Sequence, residues 1–143
     1  RLDLDDLHVV QADGAAPPYT DATFDAVLVD APCSGLGALR RRADARWRCR
    51  PEDVGELAGL QQRILLASAP LVKPGGSLVY SVCTLTKAES VDVVAATAGA
   101  LAALGFRADL PADGDWESYG PDTLVVVPGA ATDGMALARW RRA

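Results

Sequence analysis

Metal-binding side chains are scarce in this chain: one histidine and three cysteines in 143 residues, with no Cys-x-x-Cys pair. A zinc site takes about four ligands at short spacings, so no metal centre is expected. The odd cysteine count argues against a disulfide framework, and reduced thiols fit a cytoplasmic protein. Long apolar runs are also missing. None approaches the roughly 18–20 residues that a membrane span needs. The first residues, Arg1-Leu2-Asp3-Leu4-Asp5-Asp6, are charged from the outset, unlike a secretory leader. With a single His8, outside both of the cysteine motifs discussed below, a cysteine hydrolase lacks its imidazole base.

Half of the residues are hydrophobic, so a packed core is within reach, and the length fits one domain. The net charge of −5 disfavours a nucleic-acid partner when taken alone. The charge is unevenly placed, however. Arg40, Arg41, Arg42, Arg46, Arg48 and Arg50 fall within one short stretch around Trp47, and Arg139, Arg141 and Arg142 flank Trp140. A local basic patch binds phosphate even on an acidic chain, although a solvated surface is an equally open reading.

The periodicity alternates between strand and helix. Segment 8–12 reads as a short strand ending at Asp13-Gly14, and Phe24 to Val29 as an apolar, partly β-branched strand. Residues 30–52 read as a long irregular stretch, a length usually reserved for function in a compact domain. Pro51, Glu52 and Asp53 open a helix whose apolar positions recur from Leu57 to Leu71, with a stop expected at Lys73-Pro74-Gly75-Gly76. Ser77 to Val82 is the next strand. Thr86 with Glu89 three residues on has the form of a capping box for a helix over 87–103, ended by Gly105. A strand over 106–110 and a terminal antiparallel pair, 123–127 with 135–140, complete the pattern. Strands alternating with helices predict an α/β fold with a mostly parallel sheet covered on both faces.

Two strings stand at strand ends: Asp30-Ala31-Pro32-Cys33-Ser34-Gly35 and Tyr80-Ser81-Val82-Cys83-Thr84-Leu85. In an open α/β sheet, the carboxyl ends of parallel strands line the ligand crevice. Two thiols fifty residues apart are thereby expected at one site, where a thiolate is a nucleophile and a second thiol suits chemistry in two steps. Buried, inert thiols are the alternative reading. Cys49, between Arg48 and Arg50, belongs to no motif.

The two strings, Leu36-Gly37, Arg40-Arg41, Arg46-Trp47, Glu89, and the tail Asp133-Gly134-Met135 with Ala138-Arg139 together resemble the Sun/Fmu type of ribosomal RNA cytosine-5 methyltransferases. The resemblance covers most of the chain. It implies a Rossmann-like methyltransferase sheet, S-adenosylmethionine as cofactor, and RNA, of the 16S ribosomal kind, as substrate. It also implies that Cys83 attacks C6 of the target cytosine and that Cys33 assists loss of the C5 proton and enzyme release. By the same resemblance Asp30 sits between cofactor and base, Asp13 contacts the adenine end of the cofactor, and Pro32 shapes the loop that holds the base. Arg40, Arg41 and Arg46 meet the RNA backbone. Read without the resemblance, Asp13 before Gly14 is equally a turn former. Val82, Ser90 and the pair Met135-Ala136 depart mildly from the family pattern.

The family's glycine-rich cofactor turn and the acidic residue after its second strand have no counterpart here. Residues 1–143 therefore read as part of a catalytic domain without its first two strands, inactive and weak in cofactor binding by itself. The strand over 24–29 then lacks a neighbour. Either segment 8–12 pairs with it, or two chains pair edge to edge as a homodimer. An amino-group methyltransferase fits poorly, since Ala31-Pro32-Cys33 stands where such enzymes place Pro-Pro and an aromatic residue. An inactive remnant serving as an RNA-binding platform is the non-enzymatic alternative.

Overall fold

The computed structural model describes residues 7–143. Its strands are β1 (Phe24–Asp30), β2 (Val72–Val82), β3 (Phe106–Ala108), β4 (Glu117–Gly120), β5 (Thr123–Val126) and β6 (Met135–Arg142). Its helices are α1 (Ala45–Arg48), α2 (Pro51–Ser68) and α3 (Val91–Ala103), with 3-10 turns at Leu36–Ala38 and Ala69–Leu71. The strands form one sheet in the order β1-β2-β6-β5-β4, with β3 also paired to β6. No helix among the described residues is long and apolar enough to cross a membrane.

The α/β class and the terminal β5–β6 pair match the expectation. Within the described residues the parallel ladder is β1–β2, and the other four ladders are antiparallel. β6 explains the balance. It runs against β2 on one side and takes β3 and β5 on the other. The core lies where Leu78, Tyr80 and Val82 of β2, Ala138 and Trp140 of β6, Leu65 of α2 and Val93 and Leu101 of α3 pack together.

Three boundaries differ from the sequence reading. Helix α2 ends at Ser68 rather than at Lys73. Pro70 has no N–H to continue the i to i−4 ladder, so the α-helix stops there and the chain passes into the 3-10 turn Ala69–Leu71, with Ala69 still helical in backbone. Pro74-Gly75-Gly76 instead lies inside β2, where the register with β1 jumps between the Phe24–Val72 and Ala26–Ser77 pairs. Helix α3 begins at Val91, four residues later than expected, because Glu89 is turned inward. Gly105, at φ +86°, closes it as predicted, in a left-handed conformation that suits glycine.

Segment 8–12 is the main correction. It forms no strand and is exposed throughout. Among the described residues β1 pairs with β2 alone, and Leu28 on β1 is 65% exposed. A strand needs a partner ladder to satisfy its backbone, and the chain turns away too early to provide one. The Asp13 turn seats Gly14 beside Ile64 of α2, and Pro17-Pro18 follow without N–H donors.

Candidate active site

Parallel pairing sets the geometry. Asp30 at the end of β1 is in register with Ser81 near the end of β2, and the Ala31 N–H donates to the Ser81 carbonyl at 3.3 Å. Cys33 lies three residues beyond β1 and Cys83 one residue beyond β2. Their sulfurs come within 3.2 Å of each other. The loops are stitched further on: the Gly37 N–H donates to the Cys83 carbonyl (3.0 Å), and the Gly134 N–H donates to the Gly37 carbonyl (2.8 Å). Only glycine fits at 37, since a Cβ there would stand 2.2 Å from the Gly134 carbonyl oxygen. The Asp-Gly-Met tail is thus a structural clamp on the Cys33 loop.

Beneath the sulfurs lies a buried polar cluster that sequence reasoning missed. Glu89 is fully buried, and its carboxylate accepts from five donors. Oε1 takes the Ser34 backbone N–H (2.8 Å) and the Gln61 amide (3.1 Å). Oε2 takes the hydroxyls of Ser34 (2.6 Å), Thr84 (3.0 Å) and Thr86 (2.8 Å). Gln61 also donates to the Pro32 carbonyl at 2.9 Å, and the Tyr80 hydroxyl donates toward the Glu89 carbonyl (2.7 Å) and the Gln61 amide oxygen (2.9 Å). Thr86 and Glu89 do hydrogen-bond, but between side chains rather than as a helix cap. The signal that could have found this cluster was the presence of hydroxyls immediately after both cysteines.

The sulfurs open onto a cavity of about 1030 Å³ lined by Asp30, Pro32, Arg42, Arg48 and Cys49 among others. A second cavity of about 600 Å³ lies along β1, with walls from Tyr19, Phe24 and Leu28. Asp30 and Pro32 line both, so they form the partition between the two. Asp13 lines neither. Its carboxylate accepts the Ala15 N–H at 2.9 Å, which is the turn-forming role. Arg40 and Arg41 hold Asp133: Arg41 Nε donates to it at 2.7 Å, and an Arg40 nitrogen lies 3.7 Å away. Arg46 donates to the Ala43 carbonyl at 3.2 Å and stands 6.0 Å from the ring centre of Trp47, which is 84% exposed. The cations that reach the larger cavity are Arg42, Arg48 and Arg63. No group of metal ligands occurs among the described residues.

The family profile of the 16S rRNA methyltransferases RsmB/F matches residues 1–140. The chain belongs to this family. Over 90 residues it is 47% identical to the ribosomal RNA small subunit methyltransferase B of Enterobacter sp. strain 638, covering 62% of this chain and 21% of that protein. Among solved structures, PH0851 superposes with a TM-score of 0.77 at 28% identity, over 85% of this chain and 27% of that one. NSun6 from Pyrococcus horikoshii, solved with SFG, gives 0.64 at 26% identity, over 80% and 29%. The chain spans between 16% and 22% of the length of the curated relatives it matches. RsmB/F methyltransferases use S-adenosylmethionine.

Burial, the neighbouring Cys83 thiol and its charge push the Cys33 thiol up from 9.0 to about 12, against a smaller lowering by the Gly35 backbone. Cys33 therefore keeps its proton at neutral pH. As pH rises, the unfolded thiol ionises near 9 and the folded one only near 12. Stability tied to Cys33 is complete below pH 9.0 and is lost between there and about 12. Urea melts across that window are expected to show a steeper loss in the unsubstituted protein than in Cys33→Ala. Parallel profiles would contradict this placement of the thiol.

Proposed function

We propose that this chain carries the chemical centre of an RNA cytosine-5 methyltransferase that works on 16S ribosomal RNA through a covalent Cys83–C6 intermediate. The observation that carries the reading is the 3.2 Å approach of Cys33 and Cys83 at the mouth of a cavity bordered by Asp30 and arginines. Cytosine C5 is a weak nucleophile. Addition of the Cys83 sulfur at C6 breaks the C5–C6 double bond and places electron density on C5, which turns one hard step into two easier ones. S-adenosylmethionine, when bound, supplies the methyl group that C5 takes. Water then takes the C5 proton, the electrons of that C–H bond re-form the double bond, and the C6–sulfur bond breaks to return Cys83 as a thiolate. The protonated Cys33 thiol beside it assists the release by donating a hydrogen bond to the departing sulfur.

The residues present fit the cofactor. The smaller cavity has aromatic and aliphatic walls for a purine, and the Asp30 carboxylate at its border suits an ammonium group. Asp30 and Pro32 then separate cofactor from base. We place Asp13, whose turn stands beside Gly14 of the same cavity, toward the adenine end. Arg46 and Trp47 offer a cation and an exposed ring to RNA, the combination that single strands favour. Arg40 and Arg41, at 45% and 71% side-chain exposure, keep enough open surface for a phosphate while holding Asp133. A ribosomal RNA substrate sets this work in the cytoplasm.

Product identity tests the reaction class. Full-length protein, RNA and labelled S-adenosylmethionine are incubated, and the RNA is digested to nucleosides for mass spectrometry. The label is expected in 5-methylcytidine. Label confined to an exocyclic amino group would point to the amino-group chemistry that Ala31-Pro32-Cys33 argues against.

A further inference from the structure

The two-thiol mechanism leaves Glu89 without a part, yet it is the one charged side chain among the buried described residues. It does not line the cavity. Its partners are Ser34, immediately after Cys33, and Thr84, immediately after Cys83. A single carboxylate thus takes the main chain and hydroxyl of one cysteine loop and the hydroxyl of the other. Gln61 reaches from α2 to Glu89 and to the carbonyl of Pro32, so Cys33 is tied on both sides.

We infer that Glu89 is the positioning residue of the thiol pair: by holding both loops at once, it fixes the separation of the Cys33 and Cys83 sulfurs. This inference rests on the two-cysteine reading of the site for its catalytic consequence, though not for its geometric one. Reactive groups held in near-attack geometry lose about 100-fold when displaced by about 1 Å.

The donor set dictates which substitution is tolerated. Oε1 meets only N–H groups, and Oε2 meets only hydroxyls. Hydroxyls can turn from donating to accepting, whereas N–H groups cannot. Glutamine therefore fits with its oxygen toward Ser34 and Gln61 and its two N–H groups toward two of the three hydroxyls, the third being held by its neighbouring hydroxyl. Alanine removes the shared acceptor: the Ser34 N–H is left without one, and the hydroxyls keep only one another, Ser34 with Thr84 at 3.0 Å and Thr84 with Thr86 at 3.3 Å.

The test uses the full-length protein and two readouts. In methyl transfer, Glu89→Ala is expected to lower kcat about 100-fold with the KM for RNA nearly unchanged, and Glu89→Gln to restore kcat to within about threefold of the unsubstituted protein. The second readout is chelation of phenylarsine oxide, a trivalent arsenical that needs two neighbouring thiols and no RNA. The unsubstituted and Gln proteins are expected to bind one equivalent tightly, and the Ala protein only weakly. Glu89→Ala with unaltered turnover and chelation would overturn the inference. So would Glu89→Gln as damaged as Glu89→Ala, since charge rather than position would then matter. Should Glu89→Ala fail to fold, Ser34→Ala and Thr84→Val each remove one strap. Each is expected to weaken chelation about tenfold, and wild-type chelation in both would overturn the inference. Loss of the two-cysteine reading shows separately, as methylation that survives Cys83→Ala while chelation still depends on Glu89.

Discussion

Replacing Cys83 by Ala is expected to abolish methyl transfer, lowering kcat by on the order of 10⁴-fold or more, the scale seen when a covalent nucleophile is removed. Without the sulfur nothing adds to C6, and C5 keeps the low reactivity of an aromatic carbon. RNA and cofactor affinities are expected to change little, because Asp30, Pro32 and the arginines stay in place. The fold should also survive. The backbone carbonyl of residue 83, which accepts from Gly37, is unchanged by the substitution. The measurement is single-turnover transfer of labelled methyl to RNA, with circular dichroism as the control for folding. Undiminished transfer would end the covalent reading.

The opposite cysteine gives the second large effect. Cys33→Ala leaves the nucleophile intact, so addition at C6 and methylation at C5 proceed. Release is then slow, because the group that assists it at 3.2 Å is gone. Most of the enzyme is expected to accumulate as a protein–RNA adduct that survives denaturing electrophoresis, with turnover after the first cycle nearly absent. Label from the methyl group should travel with the adduct. A Cys33→Ala enzyme that cycles normally and shows no adduct would remove Cys33 from the mechanism.

These two residues were legible in the sequence because their placement follows from strand ends alone. An apolar run stops, a Cys-bearing string begins, and parallel pairing of β1 with β2 brings both strings to one edge. The helix α2 and the closing β5–β6 pair were legible for the same reason: local period and turn residues agree with the tertiary structure. Segment 8–12 misled because strand propensity is satisfied only by a partner, and among the described residues β1 pairs with β2 and not with this segment. Glu89 misled differently. Its spacing from Thr86 has the form of a helix cap, but five donors from three separate segments, with Thr86 itself among them, draw the carboxylate inward. Long-range donors of that kind leave no local pattern. Arg40 and Arg41 show the limit of composition: a basic run says nothing of the tail Asp133 that pairs with it.

The mechanism turns above all on which sulfur bonds to the base. RNA carrying 5-fluorocytidine at the target position tests that most directly, since fluorine at C5 cannot leave as a proton does and the adduct is arrested. Protease digestion and mass mapping of the trapped complex are predicted to find the nucleotide on the peptide holding Cys83. Attachment at Cys33 or Cys49, or no adduct with RNA that is otherwise a good substrate, would contradict it.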